Sequence, residues 1–498
     1  MTFNEFLGLV MLFSMMGVIF IGFPISFTLL FLAFIFGTIG VGADQTFYLA
    51  YLQVWGTMKD DILPAVPLFI FMGYMTEQAG LMERLFLALR HLLAPVRGAL
   101  YLAVILTATI FAMATGIVGA AVTVLGIMAG PIMIKTKYDP VLSAGAITAG
   151  GTLGILIPPS VMLIVMGPVL GVSVADLYAA AFGPGFLLAS MYLVYLIVRS
   201  MINPKLGPPV PKEERVTSVY LILREVVIGV LPLALLIAAT LGSILAGLAT
   251  PTEASGVGAL GALILAVCYR RLTFAGVKQA VISATLTSSM VLLLAVTSNI
   301  FGAVFARLGT ADWITTNLTS LPVPPLVMLG FVVFLLFLLG WPFEWPAIIL
   351  VFLPIFYPVV DALKPSLSQS FGIPPELFMV WFGALVAVTM QTAYLSPPVA
   401  MSAYYLKQVV KEWSLRTIYK GMFEFMVLQC IAIAIVMFVP QIATYLPMQL
   451  QAEARAVTTE EVDDSQNRLE EDPLKAGQEE QQEEESLEKD ELSNPKKK

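Results

Sequence analysis

Histidine and cysteine are nearly missing from this 498-residue chain, and charge is scarce. A single histidine, His91, removes most zinc sites and most histidine-based acid–base schemes. The two cysteines, Cys268 and Cys430, both lie in apolar runs. They offer no disulfide framework and read as small buried hydrophobes. Only 12% of residues are charged, against ~25% in a soluble protein. There is no positively charged leader region, since the first basic residue is Lys59. The first apolar run is therefore expected to stay as a membrane helix. No aspartate pair falls within an apolar run, so the catalytic sets of membrane-embedded enzymes are missing and the chain is read as a non-enzyme without cofactor. A channel would need a continuous polar pore. The net charge of −7 says little, because much of the acid sits after residue 450. Nucleic acid is not an expected partner; the lipid bilayer is.

What the chain has in quantity is apolar sequence: 58% hydrophobic residues and a mean hydropathy of +0.88. Runs of membrane-crossing length recur from Phe6 to Tyr445. The reading gives crossings at 6–22, 25–42, 63–83, 141–170, 176–198, 223–247, 253–270, 279–306, 376–406 and 418–446. Two further stretches, 99–134 and 323–360, are interrupted near Thr115–Gly119 and Gly340–Pro346. Each is either two tight crossings or a re-entrant hairpin. If both return to the side they left, 17 of the 20 basic residues before the tail fall on one face. That bias marks the cytoplasmic side and puts both termini outside, in the periplasm. The map then divides at the proline-rich loop Asn203–Arg215 into halves that each cross five times, so the second is inserted upside down: an inverted-topology repeat. From about Gln451 the chain turns to Glu, Gln, Asp, Ser and Lys, a composition expected to be disordered.

Each half carries a Pro-Pro pair inside an apolar segment: Gly150–Ser160, with Pro158-Pro159, and Gln391–Val399, with Pro397-Pro398. Proline removes a backbone donor and clashes with the preceding turn. Backbone freed at membrane depth is tolerated only where it lines a cavity or is buried in protein. Paired interruptions in corresponding halves point to a secondary transporter's binding site. Carbonyls at helix C-terminal ends suit a small hard cation, and amides at N-terminal ends suit a carboxylate. The sodium-site candidates are Thr115, Gly116, Gly119, Thr152, Gly154, Ser160, Thr389, Thr392 and Ser396. The substrate-site candidates are Pro158, Pro159, Ser160, Glu344, Gln391, Thr392, Pro397 and Pro398. Neither loop holds Arg or Lys, so a substrate carboxylate is expected to rest on amides and hydroxyls. Taken singly, the small residues are ordinary packing residues of membrane helices. Glu344, at the second hairpin tip, reads as a cation ligand, a helix cap or an interfacial residue. Glu253, in Thr250-Pro251-Thr252-Glu253, reads as part of a helix start. Trp55, Trp341 and Trp345 read as interfacial anchors.

Tyr138-Asp139-Pro140, Gly151–Ser160, Thr250–Gly258, Phe343–Pro358 and Met390–Leu406 together resemble the large membrane subunit of tripartite ATP-independent periplasmic (TRAP) transporters. The resemblance covers residues 5–446. It implies an all-α polytopic membrane protein with two re-entrant hairpins and two Pro-Pro-broken helices. It also implies Na⁺-coupled import of organic acids by an elevator mechanism across the bacterial inner membrane. A separate small four-helix membrane subunit and a periplasmic substrate-binding protein are the implied partners. In that scheme scaffold helices occupy 1–97 and 223–320. The transport domain is 98–172 plus 321–411, the last helices of the halves are 173–200 and 412–446, a cytoplasmic linker is 201–222 and an acidic tail is 447–498. Two segments depart from the family pattern: the first tip is Ala114-Thr115-Gly116-Ile117-Val118-Gly119, and the second loop is Ser396-Pro397-Pro398-Val399-Ala400 where Thr-Pro-Pro-Val-Gly is common. The alternative within transport is a stand-alone di- or tricarboxylate carrier that works without a binding protein.

Overall fold

The structure, a computed structural model, describes residues 1–209, 215, 218–397 and 400–453, the side chains of Thr115 and Val219 excepted. Every regular element among these residues is helical. The chain opens with α1 (Phe3–Ile21), α2 (Ile25–Gly40), α3 (Ala43–Met58), α4 (Ala65–Gln78) and α5 (Leu81–Leu92). A hairpin of α6 (Ala99–Thr115) and α7 (Val118–Lys135) follows, then a broken helix, α8 (Pro140–Thr152) and α9 (Val161–Leu170), then α10 (Val174–Ile202). In the second half α11 (Val219–Ile237) runs through a π segment into α12 (Ser243–Leu245), followed by α13 (Pro251–Cys268), α14 (Phe274–Arg307) and α15 (Thr310–Thr319). The order of the first half then recurs. A hairpin of α16 (Pro325–Leu339) with α17 (Trp345–Ala347) and α18 (Leu353–Phe371) precedes a broken helix, α19 (Pro375–Met390) and α20 (Met401–Val409), and then α21 (Leu415–Phe438). Nine helical stretches among the described residues are long and apolar enough to cross a membrane.

Local sequence sets the starts. Asp139 accepts the Leu142 N–H at 2.9 Å with Pro140 at the first helical position, which fixes α8. Thr250 and Glu253 close a reciprocal capping box on α13, as the sequence predicts. The centre belongs to the broken helices. Leu142–Thr152 and Leu377–Met390 are buried at every position. A helix that is apolar all round belongs inside, which is why neither shows an amphipathic stripe. Small residues let the backbones meet: a Cβ on Gly421 of α21 would lie 2.1 Å from the Val141 carbonyl oxygen of α8. At the base of the first hairpin, Tyr101 Oη donates to Leu206 O (2.6 Å), Asp139 N to Leu206 O (2.9 Å) and Gly98 N to Gly207 O (2.9 Å). These bonds seam the start of the inter-half loop onto α6 and α8.

Several expectations change. α3, α5 and α15 are helices that the crossing map omits. α5 is amphipathic, with Leu81, Leu85, Phe86 and Leu89 buried and Glu83 and Arg84 outside, so the crossing drawn at 63–83 is two helices meeting at Ala79–Gly80. The last crossing stops at Phe438, before Pro440. Cys268 and Cys430 are exposed on outward faces of α13 and α21 rather than buried, because an apolar run in a membrane helix does not say which face is inside. Trp345 is packed in the hairpin tip at 8% exposure and is no interfacial anchor, while Trp55 and Trp341 are exposed. Residues 446–453 are helical where a tail was placed from 447; the rest of that expected tail lies outside the described residues, as do 210–214 and 216–217 of the linker.

Candidate functional site

The first hairpin tip is made by Gly116, which ends α6 at φ +61°, and by extended Ile117, which starts α7. Glycine enters that left-handed region without the steric penalty of a Cβ. The tip is pressed against the first break. A Cβ on Gly116 would stand 3.5 Å from Pro159 O, 3.7 Å from Val161 N and 3.8 Å from Gly154 O, so backbone polar atoms of the break lie close to it. The break itself begins with a tight turn, Leu153–Ile155, and ends where α9 resumes at Val161. Pro158 and Pro159 are joined by a cis peptide bond, and residues 151–160 are all buried.

The second tip and break repeat the contact with other residues. A Cβ on Gly340 would be 3.2 Å from Ala393 Cβ. α19 tightens at Gln391–Tyr394 and the chain resumes helix at Met401, with Ala400 at φ +26°. A π segment, Ile348–Phe352, follows this tip directly. Such segments accumulate at functional sites.

The candidate hydroxyls whose side chains are described are held in one way. Thr152 Oγ1 donates to Ala149 O (2.8 Å), Thr389 Oγ1 to Leu385 O (2.8 Å), Thr392 Oγ1 to Thr389 O (2.7 Å) and Ser396 Oγ to Thr392 O (2.7 Å). Ser160 Oγ donates to Ile155 O (2.5 Å), across the break. Each hydrogen is committed to a backbone carbonyl, which leaves oxygen lone pairs for a cation.

One cavity of 490 Å³ joins the two halves. The first tip (Gly116–Ala120) and second tip (Glu344–Pro346) line it, with Ile155 and Val161 beside the first break and Tyr394 and Met401 beside the second. Tyr405 and Gln408 of α20 complete that side. α4, through Ile70, Tyr74 and Glu77, and α14, through Thr287, Met290 and Val291, close the other. The Tyr74 and Thr287 hydroxyls lie 3.4 Å apart across α4 and α14.

Of the predicted site residues, Gly116, Gly119 and Glu344 line this cavity. Thr152, Gly154, Pro158, Pro159, Ser160, Thr389, Gln391, Thr392 and Ser396 are buried and do not line it. Pro397 is exposed, Pro398 lies outside the described residues, and Thr115 is described by its backbone alone. Glu344 occupies the N-cap position of α17, yet its side chain makes no cap bond, so the capping alternative does not hold. Gln391 Oε1 is fully buried without a hydrogen-bond partner among the described residues. The residues that sequence reasoning missed are Glu77, Tyr74, Thr287, Tyr405 and Gln408. For Glu77 the signal was present, an acid inside an apolar stretch. The others are tyrosines, a threonine and a glutamine whose convergence only the fold reveals.

Similarity to known proteins follows the same span. The family described as tripartite ATP-independent periplasmic transporter, DctM component, matches residues 12–442. The sialic acid TRAP transporter large permease protein SiaM of Vibrio cholerae is 30% identical over 439 residues, covering 88% of this chain and 97% of that protein. The C4-dicarboxylate TRAP transporter large permease protein DctM of Pseudomonas aeruginosa is 26% identical, covering 80% and 88%. The ectoine TRAP transporter large permease protein TeaC of Halomonas elongata is 26% identical, covering 88% and 98%. Among solved structures, that of the YdaH transporter of Alcanivorax borkumensis superposes with a TM-score of 0.57 at 16% identity, covering 86% of this chain and 97% of that one, a likeness of fold.

Proposed function

Because the chain belongs to the DctM, or large-permease, family of tripartite ATP-independent periplasmic transporters, we propose that this multi-pass membrane protein imports a small organic acid across the bacterial inner membrane, coupled to Na⁺. The observation that carries this reading is the single cavity shared by two hairpin tips and two helix breaks. Behind its lining, backbone carbonyls of Gly154 and Pro159 lie close to Gly116, and the nearby buried hydroxyls keep their oxygen lone pairs. Such an oxygen set without formal charge suits Na⁺. Helix N-terminal amides at α9 and α20 are placed to take a carboxylate. The hairpins and broken helices form the moving body of an elevator. α4 and α14, which close the cavity, belong to the scaffold, and the halves are related as an inverted-topology repeat. Both termini face the periplasm, where a binding protein delivers the acid, and a separate small membrane subunit braces the scaffold. The named substrates of the relatives differ from one another, so likeness alone does not choose among them.

The test is uptake into proteoliposomes holding the chain with its small subunit, in the presence of the loaded binding protein. Uptake is expected to rise at least about tenfold with an inward Na⁺ gradient over choline, and to fall below a tenth in Ser160→Ala. Equal uptake in choline refutes Na⁺ coupling. Uptake by the chain alone, without either partner, favours a stand-alone carrier. A parallel readout is thermal stability, which a bound ion raises as its concentration passes its dissociation constant.

A further inference from the structure

Two carboxylates line the cavity, Glu77 from α4 and Glu344 from the second tip, and among the described residues no lysine, arginine or histidine does. Neither acid belongs to an ion pair among the described residues, and Glu344 does not cap its helix. The other polar groups are the hydroxyls of Tyr74, Thr123, Thr287, Tyr394 and Tyr405, the indole of Trp345 and the amide of Gln408. The volume, 490 Å³, falls within the ~300–1,000 Å³ of small-molecule sites. Acids held among apolar groups are rare unless a ligand, an ion or a function meets them. One carboxylate of a cargo would be met by the break amides and the coupling ions. A second would face Glu77 and Glu344 with no cation between, in a medium of low dielectric where like charges repel strongly.

Resting on the importer reading above, we infer that Glu77 and Glu344 determine specificity by accepting hydrogen bonds from the cargo. The cargo is then a monocarboxylate carrying several donor groups, hydroxyl or ammonium, and dicarboxylates are rejected. Glu77 stands on α4 and Glu344 on a hairpin tip, so they grip the donor-bearing part from two different elements while the carboxylate rests on the breaks. Hydrogen bonds to a carboxylate are among the stronger ones, and a neutral amide in its place weakens them.

The experiment is a thermal-shift titration of the chain with its small subunit in saturating NaCl, against gluconate, 4-aminobutyrate and succinate. Gluconate or 4-aminobutyrate is expected to raise the midpoint saturably. The responding arm tells hydroxyl from ammonium recognition, and succinate gives no shift. Glu344→Gln and Glu77→Gln are each expected to weaken the response to that probe roughly tenfold or more and to admit succinate. The unfolding midpoint without probe and a monodisperse elution profile report that both variants are folded. A succinate shift as large as that of the better donor-bearing probe overturns the inference. So does a donor-bearing response unchanged in both variants, or silence of both donor-bearing probes beside a normal Na⁺ shift. If the wild-type Na⁺ shift is missing while the probe responses follow the expected pattern, the specificity inference stands and Na⁺ coupling is what fails.

Discussion

The two tip-and-break assemblies share an order of elements and differ in what they present. The first is neutral: residues 151–160 are buried, and its tip, Gly116-Ile117, carries no charged side chain. The second carries Glu344 on its tip, leaves Pro397 exposed, and turns back into helix through a non-glycine residue, Ala400, in left-handed backbone. Prolines at matching places break both helices, so the break is a property of the scaffold and the chemistry is a property of the side chains placed on it. Under the proposed mechanism the first assembly is the purer cation device, and the second adds recognition of the cargo.

Substitutions can break or sharpen this contrast. The largest effect is expected at the tips. Gly116→Val forces a β-branched residue to φ +61° and into the carbonyls of Pro159 and Gly154, for a loss of about 3 kcal/mol and of the Na⁺-specific stabilisation. Gly340→Ala meets Ala393 but has ordinary helical backbone, so its loss should be about 1 kcal/mol. Denaturation in NaCl and in choline chloride reads both, and equal losses at the two positions would remove the distinction between the tips. Next come the serines. Ser160→Ala deletes a hydroxyl bond that spans the break, whereas Ser396→Ala deletes one to a carbonyl four residues back. The first should cost about 1.5 kcal/mol and the second about 0.5 kcal/mol. The reverse order would place the more demanding break in the second half. The smallest effect is a gain: Ala400→Gly relieves about 1–2 kcal/mol of left-handed strain and loses about 0.5–1 kcal/mol to the freedom of the unfolded chain. A net gain of about 0.5 kcal/mol follows, visible as a raised unfolding midpoint.

Much of the architecture was legible because proline and glycine punctuate it. Pro158-Pro159 locates the first break within the residues where α8 stops and α9 resumes, and Gly116 and Gly340 mark the tips. α3 was not legible. Asp44, Gln45 and Gln53 lower its hydropathy, and what holds it is tertiary, with Thr46 buried and Asn299 of α14 donating to Thr57 at 3.0 Å. α5 was hidden for the opposite reason, since its apolar face merges with the preceding run at Leu81. The site was legible only on the side of the breaks. Glu77, Tyr74 and Thr287 lie on helices that sequence reading assigns to the scaffold, and nothing local says that these helices turn toward the tips. The breaks show where backbone is freed; which wall faces it depends on packing between the halves.

The seam at the base of the first hairpin has a consequence in the order of synthesis. The residues it joins, Gly98, Tyr101, Asp139, Leu206 and Gly207, all belong to the portion translated first. The first half can therefore fasten its own end before any of the second half leaves the ribosome, and a growing chain tends to fold by such units. First-half chains released after residue 208 should already resist protease at this edge, and chains released after residue 202 should not.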